Sequence, residues 1–143
     1  MVKPVPEGFH TVTPYLLADG CAGLIDFLVR GLGAVETGRH AMPDGKIMHA
    51  QVKIGDSMIM LGDPPPGHPA LPAMLYVYVA DADALHKRAL AAGAKLLAPV
   101  ADQFYGDRSG AIEDPRGNKW WIATHREDVA EADLAKRAGA LKK

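Results

Sequence analysis

Residues Asp63–Pro72 read DPPPGHPALP, five prolines in ten positions, and they divide the chain into two stretches of comparable length. Proline fixes φ and withholds an N–H, so this run suits neither a helix interior nor a central strand. An extended connection between two modules is the expectation.

Each side of the connection carries the same order of elements. FHTVTPYLL (Phe9–Leu17) is β-branched, aromatic and apolar, as a strand requires. Asp19 stands at a helix start, Leu24, Ile25, Leu28 and Leu32 recur at helical spacing, and Gly31 and Gly33 end the helix. Three strands are then expected: Ala34–Ala41, Lys46–Ile54 after an Asp44-Gly45 hairpin turn, and Ser57–Leu61 after Gly55-Asp56. Beyond the prolines, Ala73–Ala80 is a strand and Asp81 or Asp83 caps a helix that Gly93 ends. Strands Lys95–Val100, Tyr105–Ile112 and Asn118–Ala123 follow, the last two joined at Asp114-Pro115-Arg116-Gly117. Gly33-Ala34 recurs as Gly93-Ala94 and Met60 pairs with Trp121, so the repeat is a βαβββ unit used twice. The expected fold class is α+β, one domain over residues 1–143: module 9–62, linker 63–72, module 73–125 and tail 126–143. The modules are expected to form a curved mixed sheet with a concave cleft and helices on the other face.

A hydrophobic content of 48% and a charged content of 23% are globular values, which excludes extended disorder. The net charge of -1 gives no basic face for nucleic acid. Cys21 is the only cysteine, so no internal disulfide can form, and no apolar run approaches the ~18 residues of a membrane span. A reducing cytoplasm is the expected location, with no membrane partner.

Strand alternation sorts the side chains. Leu75, Val77 and Val79 face a helix, and Met74, Tyr76 and Tyr78 face the other way. Between residues 46 and 54 the same rule sets Met48, Ala50, Val52 and Ile54 against Ile47, His49, Gln51 and Lys53, one face core and the other a cleft wall. Trp120 and Trp121 must point oppositely, Trp120 inward with Ile122 and Trp121 to the cleft, unless both are ordinary packing.

The paired order, with DFLVRGLGA (26–34), DGKIMHAQVKIGDSMIML (44–61) and DPRGNKWWIATHREDV (114–129), resembles the glyoxalase/bleomycin-resistance/dioxygenase superfamily. YGDRSG (105–110) before WWIATHREDV resembles its PhnB-like branch. In metal-using members, the resemblance implies, His and Glu from the first and fourth strands of each module hold a divalent cation. Those positions fall at or near Val12, Met60, Met74 and Trp121, none a donor for a hard or borderline cation. No metal and no cofactor is therefore expected.

The expected function is small-molecule binding of the bleomycin-resistance type, with an aromatic or cationic ligand sequestered in a homodimer's cleft. The candidate ligand-binding residues are His49, Gln51, Met60, Met74, Tyr76, Tyr78, Tyr105, Arg108 and Trp121. The tyrosines could stack and donate hydrogen bonds, or form only a cross-strand pair. His49 could be a polar contact or a base, or an exposed strand histidine. Arg108 could clamp a carboxylate or phosphate, or pair with a surface acid. No catalytic residue is assigned. The rival is a metal-dependent lyase, isomerase or dioxygenase with ligands such as His49 and His10, and Cys21 is expected to be inert.

Overall fold

A computed structural model describes residues 2–141. The chain runs β1 (Tyr15–Leu17), α1 (Cys21–Leu32), β2 (Val35–Ala41), β3 (Ile47–Ile54), β4 (Ser57–Gly62), β5 (Met74–Tyr78), α2 (Ala82–Ala91), β6 (Lys95–Asp102), β7 (Asp107–Glu113), β8 (Lys119–His125) and α3 (Glu131–Leu141). This is an α+β fold of two βαβββ modules. Each module hydrogen-bonds its own four-stranded mixed sheet, ordered β1-β4-β3-β2 and β5-β8-β7-β6. In both, the first strand runs parallel to the fourth and the other pairings are antiparallel.

The register of the inner strands makes the repeat visible in the backbone. Tyr15 lies opposite Met60 and Tyr76 opposite Trp121, each member sixty-one positions after its counterpart. Gln51 opposite Met60 matches Ala111 opposite Trp121, where the offset on the third strand is sixty. Both modules also start their helix in the same way. Asp63, just past β4, accepts from Gly20 N at 2.8 Å and Cys21 N at 3.3 Å through one oxygen and from Ile47 N at 2.7 Å through the other. Sixty-one positions later, Thr124 Oγ1 accepts from Ala82 N at 2.9 Å. The expected cap Asp19 does not serve: the cap position is Gly20, in the left-handed region at φ 76° with no side chain to offer. Asp81 caps α2, accepting from Ala84 N at 3.0 Å.

The two modules share one core. Leu24, Ile25, Phe27 and Leu28 of α1 join Ala50, Val52 and Leu61 of the first sheet and Ile112, Trp120 and Ile122 of the second. The helices touch at Gly31, where a Cβ would stand 3.2 Å from Ala92 Cβ. Arg88 clips them, donating to the carbonyls of Arg30 at 2.7 Å and Val29 at 3.2 Å at the end of α1. Trp120 Nε1 donates to the buried Asp114 at 2.8 Å.

Several local expectations change. Phe9–Pro14 is not strand, since β1 begins at Tyr15. The first hairpin is a turn over Met42–Gly45 closed by Gly45 N to Met42 O at 2.9 Å, with Pro43 second and only Gly45 at positive φ, so Asp44-Gly45 is not a two-residue loop. A register shift follows, His40 opposite His49 but Ala41 opposite Ile47, which leaves Met48 as the extra residue of a bulge. Met48 is therefore 62% exposed and Ile47 is buried, the reverse of simple alternation. Helix α3 has no buried residue.

Candidate functional site

The faces turned away from the helices carry the side chains of interest. On the second sheet, Tyr76, Trp121 and Ala111 share one rung, Tyr78, Ala123 and Ser109 the next, and Asp107 and His125 the last. Ser109, Ala111 and Ala123 are small and fully buried, a floor beneath larger neighbours. Tyr76 and Tyr78 stand over it with ring centroids 5.2 Å apart.

One buried carboxylate organises this face. Asp107 is 3% exposed and accepts from Tyr76 Oη at 2.7 Å and Tyr78 Oη at 3.0 Å on one oxygen. Its other oxygen lies 2.8 Å from His125 Nδ1, and His125 Nε2 lies 2.7 Å from Asp128. Tyr105 Oη is 3.3 Å from Tyr76 Oη. Burial alone would raise the Asp107 pKa, but the bonds from His125, Tyr76 and Tyr78 outweigh it and hold the carboxyl below its ordinary value. The two flanking carboxylates, Asp107 first, raise His125 above its ordinary value. Burial, then the bonds to Tyr105 and Asp107, push the Tyr76 phenol far up, so it is a neutral hydroxyl and no base. Tyr78 is raised as well, mainly by its bond to Asp107.

Gly106 fixes the edge of this cluster. It sits at φ 102°, and a Cβ there would run into Glu127 O. Its carbonyl accepts from Arg126 N at 2.9 Å and Glu127 N at 3.2 Å, which brings Asp128 round to His125. Arg137 of α3 holds the same turn through Glu127 at 2.6 Å and the Phe104 carbonyl at 3.1 Å.

The first sheet presents a different face at the same register. Tyr15 Oη and His49 Nδ1 are 3.3 Å apart, Gln51 Nε2 and His49 Nε2 are 3.3 Å apart, and Met60 stands between Tyr15 and Gln51. Beside them opens a cavity of about 970 Å³ lined by Tyr15, Leu17, Ile47, Met48, Pro64 and Leu71 among others. By the offsets above Leu17 matches Tyr78 and Pro64 matches His125, whereas Ile47 matches Asp107 in sequence only, since the bulge at Met48 turns it into the core. One module thus has an apolar cavity where the other has a charged, hydrogen-bonded cluster.

Of the residues expected to bind ligand, Tyr76, Tyr78, Tyr105 and Trp121 come together on the second face, and His49, Gln51 and Met60 on the first. Met74 opens β5 at 68% exposure. Arg108 alternates with Asp107 and points to the helix side, where Asp83 of α2 takes it at 2.7 and 2.9 Å and Asp102 at 3.3 Å, the ion-pair alternative. Asp107, Tyr15, His125 and the proline-lined cavity were not singled out. Asp107 is adjacent to Arg108, and grouping Arg108 with the tyrosines turned Asp107, by alternation, to the other face. Cys21 is buried, and burial, then Asp63, pushes its thiol up to about 12, which makes it a poor nucleophile.

The model for the Glyoxalase/Bleomycin resistance protein/Dioxygenase superfamily matches residues 9–122. The chain belongs to that superfamily. Uncharacterized proteins of Mycobacterium tuberculosis are 38% identical to it, over 82% of this chain and 76% of theirs. TioX from Micromonospora sp. ML1 superposes with a TM-score of 0.70 at 26% identity, over 81% of this chain and 98% of that one. The PhnB protein from Bacillus cereus does so with a TM-score of 0.61 at 17% identity, over 80% and 99%, and shows the fold alone.

Metal-using members of the superfamily raise the question whether these residues fit a cation. The offset of sixty-one matches Met74 with Thr13 rather than Val12, which lies ahead of β1 at 82% exposure. The four positions are then Thr13, Met60, Met74 and Trp121: a neutral hydroxyl, two soft thioethers and an indole. Such a set does not fit a hard or borderline divalent ion. Among the described residues no three His, Cys, Asp or Glu side chains converge to hold one, His10 and His49 included. No helix among them is long and apolar enough to cross a membrane.

Proposed function

We propose that this superfamily member is a metal-free binding protein of the bleomycin-resistance type, which sequesters an aromatic or cationic organic ligand in a cleft. The carrying observation is the second face: Tyr76, Tyr78 and Trp121 stand over a floor of small residues, with the ionised Asp107 behind them. Aromatic faces attract flat rings and cations, and a buried carboxylate adds negative potential without offering a proton. Tyr105 completes the polar end, and His49, Gln51, Met60 and Met74 are the proposed contacts elsewhere. A reducing, cytoplasmic setting is part of the proposal.

A homodimer is proposed as the working form. β5 is an edge strand, and Met74 and Tyr78 on it are 68% and 62% exposed, more apolar and aromatic surface than an isolated sheet edge usually leaves open. Light scattering on the purified protein tests this, with a monomer at micromolar concentration as the opposing result.

Trp120 is fully buried and Trp121 half-buried, so tryptophan emission reports on the proposed site. A panel of bleomycin-like, aromatic and cationic compounds should contain members that quench the wild-type protein saturably. Trp121→Phe should lose that signal and weaken binding in calorimetry by about tenfold. Silence across the panel in both measurements would sink the proposal.

A further inference from the structure

We infer that the Tyr76–Tyr78–Tyr105 end of the site offers hydrogen-bond acceptors only, and so selects ligands that donate there; this rests on the binding role proposed above. The argument is a count of protons. Asp107 is ionised and can only accept, so Tyr76 and Tyr78 must both spend their single hydroxyl proton on it, at 2.7 and 3.0 Å. Tyr76 then has no proton left for its neighbour, and in the 3.3 Å contact between the two phenols Tyr105 must be the donor. All three protons point inward. The oxygens of Tyr78 and Tyr105 keep lone pairs that have no other partner among the described side chains.

The surrounding groups do not restore a donor at this end. His125, when protonated, commits both N–H groups, to Asp107 at 2.8 Å and Asp128 at 2.7 Å. Ser109 Oγ lacks a partner but is fully buried, and so does not reach a ligand. Arg108 is turned to the other side of the sheet and tied to Asp83. Of the remaining donors on this face, Lys119 lies farther along β8, and the Trp121 indole stands on the Tyr76 rung, two rungs from Asp107 and His125, as a separate group from the three hydroxyls. The expectation that these tyrosines donate to a ligand is thereby reversed. A group carrying O–H or N–H gains a bond here, whereas an ether, carbonyl or carboxylate meets lone pairs backed by a negative charge. The preferred class is a flat ring bearing a hydroxyl, amine or amidinium.

Matched probes on one ring system test this: 2-naphthol as donor, 2-methoxynaphthalene as acceptor, and 2-naphthoate as anion, each titrated against the full-length protein by tryptophan emission and calorimetry. The wild-type protein should bind 2-naphthol about tenfold more tightly than 2-methoxynaphthalene, and 2-naphthoate least. Asp107→Asn makes the residue a donor to one phenol and turns that phenol's proton outward, which should bring the naphthol-to-ether ratio close to one. Tyr78→Phe keeps the ring and removes one acceptor. It should reduce the ratio severalfold, and it decides the matter if the Asp107 variant does not fold. Equal binding of 2-naphthol and 2-methoxynaphthalene by the wild type overturns this inference and leaves the binding function standing. No binding of any probe overturns both.

Discussion

The open faces of the two modules share a backbone register as far as the bulge at Met48 and part beyond it. Where the first has Leu17, Ile47 and Pro64 around a cavity of about 970 Å³, the second has Tyr78, Asp107 and His125 bonded to one another. In the first, the polar groups Tyr15, His49 and Gln51 meet at 3.3 Å, the long end of hydrogen bonding. In the second, bonds to a single carboxylate run from 2.7 to 3.0 Å. The difference teaches that a duplicated scaffold fixes where side chains go, while one buried charge determines whether a face is an open apolar pocket or an oriented polar site.

Exchanging the two deciding residues tests this most severely. Ile47→Asp places a carboxylate at a buried position whose own backbone N–H already binds Asp63 at 2.7 Å. Of the groups that satisfy Asp107, only Tyr76 has a counterpart of its kind, Tyr15, while Leu17 and Pro64 stand for Tyr78 and His125, so a loss of about 4–5 kcal/mol, or failure to fold, is expected. The reverse exchange, Asp107→Ile, orphans hydroxyls that water can still reach, and about 3 kcal/mol is expected. Urea denaturation of both variants checks the order, and a better tolerated Ile47→Asp would show that the two faces are interchangeable.

A second contrast lies in the helix starts. Asp63 satisfies three backbone N–H groups, whereas Thr124 accepts from one and donates to the Val79 carbonyl at 2.8 Å. Asp63→Ala should cost about 2 kcal/mol and Thr124→Val about 1 kcal/mol in the same denaturation experiment. Equal losses would mean that the cap on α1 contributes no more than the single bond on α2.

Element order, the repeat and the helix-facing sides of β5 and β8 were all legible in the sequence, because alternation and helical spacing are local. Met48 and Ile47 escaped because a bulge displaces every side chain beyond it, and nothing in KIMHAQ marks a bulge. Arg108 was misplaced and Asp107 overlooked for a related reason. The motif YGDRSG invites attention to its arginine, yet the face is set by register across β7 and β8, which brings Asp107 opposite His125. Asp63 as the cap of α1 was hidden by distance along the chain, since it sits forty-three residues from Gly20. The first-module cavity was hidden because a proline linker reads as a connection, not as a wall.

The smallest effect separates the modules by pH. His125 is raised in the folded protein, so the stability it adds is complete below its unfolded value of about 6.5 and is lost as pH rises through the higher folded value. Asp107 is lowered, so its contribution is complete above about 3.8 and is lost as pH falls through the lower folded value. The second-module network should therefore contribute most between about pH 4 and 6.5. Above that range the carboxylate stays ionised and keeps both tyrosine protons, so ligand preference should persist while the link from His125 to Asp128 weakens. Stability measured from pH 4 to 9 should show a modest decline on the alkaline side that His125→Gln removes and His49→Gln leaves intact. A decline removed by His49→Gln instead would move the titrating group to the first module and break the contrast between the faces.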